Sequence, residues 1–185
     1  MGLRHWVKYW GSISEERAAD YPCDGCRPQG ANSYFRAIGV KASPALTYRW
    51  LCQLTQAPYS YDLIDNRGHR SPRELTPGAD HIEGGSEFLV LKVTDIQPGR
   101  SVNGVAPEEM AKVFGPMSAT YAVLPAEAGG SRIVVKIWIG ASGRFGRLKR
   151  LGRLALALGD VVMMRKQLTT LRSLAERDQR LAEAT

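Results

Sequence analysis

The densest group of polar and aromatic residues in the chain lies at residues 59–66, which read Tyr-Ser-Tyr-Asp-Leu-Ile-Asp-Asn. If this segment is extended, Tyr59 and Tyr61 point to the same side of the backbone. Phenol groups donate hydrogen bonds to carbonyls, and Asp62 or Asp65 can act as a general base if burial raises its pKa toward the working pH. The structural alternative is that Asp62 or Asp65 caps a turn formed by residues 66–68, while the tyrosines pack at a rim with satisfied hydroxyls.

Arg73 is a fifth candidate for a catalytic role. It belongs to the segment Ser-Pro-Arg-Glu at 71–74, in which the serine, proline and glutamate form the pattern of a capping box and predict a short helix. The guanidinium offers a planar fork of donors to an anionic or carbonyl group of a ligand. Arg73 is equally suited to an ion pair with Asp62 or Asp65, so a role in ligand binding and a structural role both stay open.

Periodicity along the chain predicts the elements that must position these residues. Residues 33–41 alternate as in a strand, and a helix follows with Ser43 as its N-cap, Pro44 at its first position and Pro58 at its end. A hairpin is predicted from the strands 87–97 and 100–105, and a short helix follows at 107–114. A second hairpin is predicted from the strands 118–124 and 131–140.

The last third of the chain is helical, with apolar stripes over 148–158 and 161–175. Asp160 stands between the two stretches and either caps the second or marks a bend. This order of elements is α+β, in which one helix can lie across one face of a curved antiparallel sheet.

The strand at 131–140 alternates between two faces. One face carries Ile133, Val135, Ile137 and Ile139, and the other carries Val134, Lys136 and Trp138. The isoleucine face is the better core, which predicts that Lys136 is exposed to solvent. If the other face lines a cavity instead, Lys136 is a buried amine with a lowered pKa, suited to carbonyl chemistry.

Composition excludes several classes of protein. The chain has 185 residues, of which 44% are apolar, enough for one compact domain. Its longest apolar stretches are broken by charge or glycine, so no membrane span is predicted. The N-terminus lacks the apolar region of a secretory signal, and three cysteines are too few for a disulfide framework. The expected location is the cytoplasm.

No metal or cofactor site is predicted. Cys23 and Cys26 have the spacing of metal ligands or of a redox pair, but Cys52 is predicted within a helix and the three histidines are dispersed. Structural or incidental thiols are the preferred interpretation. Residues 140–143 lack the lysine and the spacing of a phosphate-binding loop.

Positive charge is concentrated in the basic segment, residues 143–153, within a chain of formal net charge +7. Such a cluster attracts an acidic partner, or else forms a solvated helix face. Nucleic acid is not an expected partner, because Phe145 is the only aromatic residue there on which a base would stack. The segment contains no acidic residue, and its basic residues are Arg144, Arg147, Lys149, Arg150 and Arg153.

Four segments carry a resemblance to a known family. They are Phe-Arg-Ala-Ile-Gly-Val-Lys-Ala-Ser-Pro at 35–44, Tyr-Arg-Trp-Leu-Cys-Gln-Leu at 48–54, the segment 59–66, and Arg-Lys-Gln-Leu at 165–168. These segments and the order of the elements resemble the SRPBCC superfamily over residues 21–176. This superfamily is the START-like or Bet v 1-like group, which has a helix-grip fold. The Tyr-Ser-Tyr-Asp segment at 59–62 is specific to a bacterial subgroup mostly without assigned activity, while the remaining pattern identifies only the superfamily.

The resemblance implies a curved antiparallel sheet wrapped around a long C-terminal helix, with a deep apolar cavity for lipids, polyketides or other hydrophobic small molecules. The cavity mouth would lie at 59–66. Some members of the superfamily bind or carry ligands, and others are aromatase/cyclases or dehydratases. The fold uses six or seven strands where five are predicted, so the missing strands are expected within 59–83.

The predicted domain organisation is an N-terminal arm at 1–32, one helix-grip domain at 33–180 and a tail at 181–185. The preferred function is binding of a hydrophobic small molecule between the sheet and the C-terminal helix. One alternative is a polyketide cyclase/dehydratase-like enzyme that uses the same cavity, and another is an interaction module that uses the basic segment. The oligomeric state stays open. The predicted ligand contacts are Tyr59, Tyr61, Asn66, Trp138, Met163 and Met164.

Overall fold

The structure is a computed structural model that describes residues 2–61, 68–140 and 150–184, without the side chains of residues 113 and 150–158. Six strands form one curved antiparallel sheet in the order β1-β6-β5-β4-β3-β2. The strands are β1 (Asn32–Val40), β2 (Glu87–Phe88), β3 (Leu91–Gln97), β4 (Ser101–Val105), β5 (Met117–Pro125) and β6 (Ser131–Ile139). Within the described residues the α-helices are α1 (Leu3–Tyr9), α2 (Ser14–Ala18), α3 (Pro44–Cys52), α4 (Glu108–Phe114) and α5 (Arg150–Glu183).

Helix α3 begins where its sequence predicts. The hydroxyl of Ser43 accepts a hydrogen bond from the amide of Leu46 at 3.3 Å, which satisfies one of the donors left open in the first turn. Pro44 occupies the first helical position. The helix passes into one 3₁₀ turn, Gln53–Thr55, shortly before Pro58.

The sixth strand comes from an unexpected place. The predicted strand 87–97 is divided into β2 and β3 by a turn in which Leu89 has a φ of 57°. The described parts of 59–83 contain no strand, so the expectation of missing strands there is wrong for those parts. The predicted short helix at 71–74 is also wrong, because these residues form only a bend. Pro77 follows too closely for a helix to extend beyond its nucleus.

The concave face of the sheet holds the main apolar core. Ile133, Val135 and Ile137 of β6 lie there, packed with residues of α3 and α5. Helix α5 runs without interruption through Asp160, which therefore neither caps a segment nor marks a bend. Its fully buried side chains include Leu168 and Leu171.

Polar contacts also join α5 to the rest of the domain. The Trp50 indole donates to Asp178 at 3.0 Å, and the Gln167 amide donates to the Pro58 carbonyl at 2.7 Å. The Glu176 carboxylate accepts from the Lys41 amide at 2.9 Å. Helix α5 is thus held along the concave face by hydrogen bonds to α3 and to the segments that precede and follow α3.

Residues near the N-terminus cover the convex face and one edge of the sheet. Tyr21 and Cys23 pack against Phe35 and Val134 on the convex face. Tyr9 and Trp10 make parallel bridges to β1, which is an edge strand. The row of backbone groups at this edge is therefore partly covered.

The prediction that Lys136 is exposed is wrong. Lys136 shares the convex face with Val134, and only 6% of its surface is exposed, because the segment around Asp24 lies over it.

Within the described part of the chain, no helix combines the length and the apolar composition that a membrane span requires.

Gly11 allows the chain to approach β1 closely, so we expect Gly11→Ala to destabilise the fold. Gly11 has a φ of +73°, and a Cβ there would lie 1.9 Å from the carbonyl oxygen of Ala37. Gly30 is a matched control, because its φ is +67° but a Cβ there meets no atom within 4 Å. Gly11→Ala should cost about 1–3 kcal/mol more than Gly30→Ala in urea unfolding, since overpacking adds to backbone strain. Equal losses would show that this close approach is absent.

Candidate functional site

Among the described residues, one charged side chain is buried on the mostly apolar concave face. Arg36 of β1 is directly opposite Val135 of β6, which in turn is opposite Tyr121 of β5, so these three residues form one cross-strand row. The side chain of Arg36 is 0% exposed. Its Nη2 lies 2.6 Å from Oδ2 of Asp160 on α5, and its Nη1 donates to the Phe35 carbonyl at 2.8 Å. The Nε of Arg36 is buried and has no hydrogen-bond partner among the described residues.

The two members of this ion pair differ in their access to solvent. The Asp160 side chain is 40% exposed, whereas the Arg36 side chain is fully enclosed. A buried guanidinium costs several kcal/mol unless a negative charge accompanies it. Arg36 therefore depends on a negative partner, while Asp160 can be hydrated without one.

Tyr121 supplies a phenol beside this pair. Its ring packs edge-on against Phe88, with the ring centroids 5.2 Å apart. Burial, and after it the negative charge of Asp160, raises the pKa of the Tyr121 phenol, and the positive charge of Arg36 opposes this only in part. The phenol therefore stays protonated at neutral pH and has a proton to donate.

The cross-strand row of Arg36, Val135 and Tyr121 adjoins an apolar surface whose residues are only half-buried. Tyr34 precedes Arg36 by two residues and so lies on the same face of β1. Four half-buried apolar residues at this end of the concave face pack against the core: Tyr34, Ala106, Met117 and Ile139. A guanidinium, a carboxylate and a phenol beside an apolar surface form an amphipathic site, which can hold one polar group of an otherwise apolar molecule.

The structure separates the two tyrosines of the segment 59–66. Tyr59 is buried in the core, where its ring packs edge-on against Trp50 with centroids 6.3 Å apart. Its φ of 55° is left-handed, so the backbone is not extended at this residue. Tyr61 is 40% exposed. Asp62, Asp65 and Asn66 lie outside the described residues.

Arg73 is exposed, and its carbonyl oxygen accepts a hydrogen bond from Arg177 of α5 at 2.7 Å. Met164 lies in the main core and Met163 is half-buried, both on α5. Trp138 lies on the convex face, where its indole donates to Asp24 at 2.7 Å. The basic segment lies outside the described residues, except for the backbone of 150–153.

A second polar cluster, on the convex face, serves to attach the N-terminal residues. The Asp24 carboxylate accepts hydrogen bonds from Lys136 at 2.8 Å, from Trp138 and from the Tyr21 amide. The Lys136 ammonium also lies 5.2–5.6 Å from the ring centroids of three aromatic residues, namely Tyr21, Phe35 and Trp138. Because this cluster is internal and its charges are paired, its contribution is structural.

Asp24 gives the stability of the protein a pH dependence. Burial by itself raises the pKa of this carboxyl, but hydrogen bonds from Lys136, Tyr21 and Trp138 lower it below its ordinary value of 3.8. A lowered pKa stabilises the fold above about pH 4, and this stabilisation is lost as the pH falls toward the folded-state pKa. Asp24→Asn should therefore be less stable than the wild type at pH 6, with a difference that shrinks in urea unfolding series toward pH 2. A constant difference would contradict the prediction.

The cysteines are free thiols in the structure, with Cys23 and Cys52 buried and Cys26 exposed. Burial raises the pKa of the Cys52 thiol to about 12 and also raises that of Cys23, so neither is a ready nucleophile. Within residues 2–61, 68–140 and 150–184, no three His, Cys, Asp or Glu side chains are grouped as metal ligands would be.

A shallow surface depression of about 190 Å³ lies between the end of α3 and β2, lined by polar and small residues such as Thr55, Gln56 and Gly78. It is smaller than the pockets that enclose drug-sized ligands, which measure about 300–1,000 Å³. The concave face is the better candidate site.

Sequence reasoning missed all three polar residues of the site. One signal was present, because the alternation of β1 places Arg36 on the same face as Tyr34, Ile38 and Val40. A single charge in such a stripe indicates a buried and paired group. The partner at position 160 gives no comparable signal, since a helical aspartate next to a glycine has many possible roles.

The sequence matches no family model and no curated protein. Among solved structures, the fold is similar to protein CV1439 from Chromobacterium violaceum, with 14% identity and a TM-score of 0.49 over 78% of this chain and 97% of that one. A member of the major latex protein family from Arabidopsis thaliana is similar with 12% identity and a TM-score of 0.37, over 76% and 94% of the two chains.

The di-domain ARO/CYC StfQ from the steffimycin biosynthetic pathway is similar with 10% identity and a TM-score of 0.50. The match covers 84% of this chain and 54% of StfQ, so this chain spans about half the length of that protein. At such identities the likeness shows the fold alone. The chain has a helix-grip fold, a curved antiparallel sheet with a long C-terminal helix, and the fold prediction is confirmed.

Proposed function

We propose that this protein binds a hydrophobic small molecule between the concave face of the sheet and α5. The polar group of the ligand lies at Arg36, Asp160 and Tyr121, and its apolar part lies along the half-buried residues near Met117. The observation that supports this is the fully enclosed Arg36 within an apolar face. Apolar residues at such a position are often as stabilising as an ion pair, so stability alone gives little reason for a guanidinium there.

The proposal keeps some of the residues predicted from the sequence. Met163 and Met164 contribute soft, adaptable surface on α5. Tyr61 and Asn66 stay as proposed contacts at the entrance, whereas Tyr59 is buried in the core. Trp138 is not retained, since it lies on the convex face.

A paired substitution tests this location. Ala106→Trp places a large ring at the half-buried end of the concave face, whereas Ala45→Trp adds the same ring at an exposed position of α3. Binding of a fluorescent apolar probe, confirmed by native mass spectrometry, should be saturable in the wild type. Ala106→Trp should weaken it about tenfold or more, and Ala45→Trp should leave it unchanged. Absence of uptake by the wild type, or equal effects of both variants, would contradict the proposal.

A cyclase/dehydratase-like enzyme is the second candidate, and Tyr121 favours it. A protonated phenol near a guanidinium can orient a carbonyl and donate a proton to it. The fold likeness to the ARO/CYC protein agrees with this chemistry without establishing it. With a poly-β-ketone substrate, Tyr121→Phe should lower kcat and leave affinity unchanged if the protein is an enzyme. An absence of turnover by the wild type would exclude this candidate for that substrate class.

A further inference from the structure

We infer that the ligand is an amphipathic carboxylic acid, whose carboxylate replaces Asp160 as the partner of Arg36. This inference rests on the proposed function and adds the chemical class of the ligand. It starts from the way in which Arg36 is bonded.

The guanidinium of Arg36 is only partly satisfied. Nε and Nη2 donate along the same edge of the guanidinium plane, and a carboxylate that uses both of its oxygens can bond to both donors. Asp160 reaches only one of them, through Oδ2 to Nη2. The Nε donor is buried without a partner among the described residues. A carboxylate that approaches side-on would satisfy Nε as well, and it would form the stronger bidentate pair.

Asp160 and Arg36 differ in exposure, so a ligand carboxylate can displace Asp160 from Arg36, whereas Arg36 itself cannot move into solvent. When a ligand carboxylate takes the place of Asp160, the displaced side chain can turn toward the solvent that already reaches 40% of it. Arg36 has no such access, so a partner without negative charge leaves its own charge buried and uncompensated, which costs stability. A neutral ester or alcohol in the same place would leave a buried charge unpaired. The site therefore favours an acid over its ester.

The surroundings favour an acid with an apolar body. The half-buried Tyr34, Met117 and Ile139 lie at the adjoining end of the concave face. The phenol of Tyr121, in the same cross-strand row as Arg36, adds a donor near the carboxylate. A small hydrophilic anion would leave the apolar surface uncovered.

The experiment compares cis-parinaric acid with its methyl ester, which have the same chromophore and apolar chain. The wild type should bind the acid about tenfold more tightly than the ester. Arg36→Met should abolish this preference and still bind the ester. Asp160→Asn retains an oxygen that accepts from Arg36 but removes the competing charge, so it should bind the acid several-fold more tightly and the ester as before.

Arg165→Met is the matched control, since Arg165 is an exposed arginine of α5. It should keep the preference for the acid. The comparison is made at high salt, which screens attraction to exposed positive charges but screens a buried pair much less. If Arg36→Met does not fold, Asp160→Asn carries the test, and an unchanged ratio of acid to ester affinity there overturns the inference.

The outcomes separate the inference from the proposed function. Equal binding of acid and ester by the wild type would overturn the inference and leave the apolar site in place. Binding of neither probe would overturn both.

Discussion

Replacing Leu171 with alanine is expected to lower the free energy of unfolding by about 2–5 kcal/mol. Leu171 is fully buried on the face of α5 that packs into the main core. Truncation removes apolar surface from the core and leaves a cavity that the surrounding strands can close only in part. Urea unfolding followed by circular dichroism and by tryptophan fluorescence measures the loss.

Val162→Ala is the control on the same helix. Val162 is 47% exposed, so its truncation should change the free energy of unfolding by no more than about 0.5 kcal/mol. A loss below about 1 kcal/mol for Leu171→Ala would show that α5 is not packed against the sheet as described.

The second large effect concerns the ion pair of the site. Asp160→Ala leaves the enclosed guanidinium of Arg36 without its negative partner, and it should cost about 3 kcal/mol, the lower end of the range for a broken buried pair, because Asp160 is partly hydrated. Arg36→Met leaves a carboxylate that can be hydrated and fills the space with an apolar chain. It should cost clearly less, as measured by urea unfolding at pH 7.

The double variant, with both substitutions, completes this comparison. It should be more stable than Asp160→Ala alone, because the unpaired charge is gone, and the cycle gives the coupling between the two residues. If Arg36→Met were the more damaging change, the guanidinium would be a structural support of the fold rather than a group that depends on its partner.

Local signals in the sequence located most of the elements. The serine and proline before α3 predict its start, and the alternation of β6 predicts which of its residues face the main core. These features depend on neighbours within a few residues, so a single sequence contains them. The division of 87–97 into two strands depends on a turn at Leu89, a residue type that seldom adopts a positive φ, and it was not predicted.

Alternation shows which residues share a face, but not what covers that face. Lys136 is buried because Asp24, more than a hundred positions away in the chain, packs over it. Arg36 is likewise paired with Asp160 on the terminal helix. Both contacts depend on how distant segments pack together. The candidate functional site was therefore expected at the tyrosines of 59–66, whereas the buried charge of Arg36 lies on β1.

The central claim, that an apolar ligand lies on the concave face of the sheet, is tested most directly by methyl NMR of the protein titrated with cis-parinaric acid. β6 contains its own control, because Val135 lies on the concave face and Val134 on the convex face. We expect saturable shifts of the methyl groups of Val135 and Ile137, with Val134 almost unaffected. Shifts confined to Val134 and its convex neighbours, or no saturable shift at any of these methyl groups, would contradict the account.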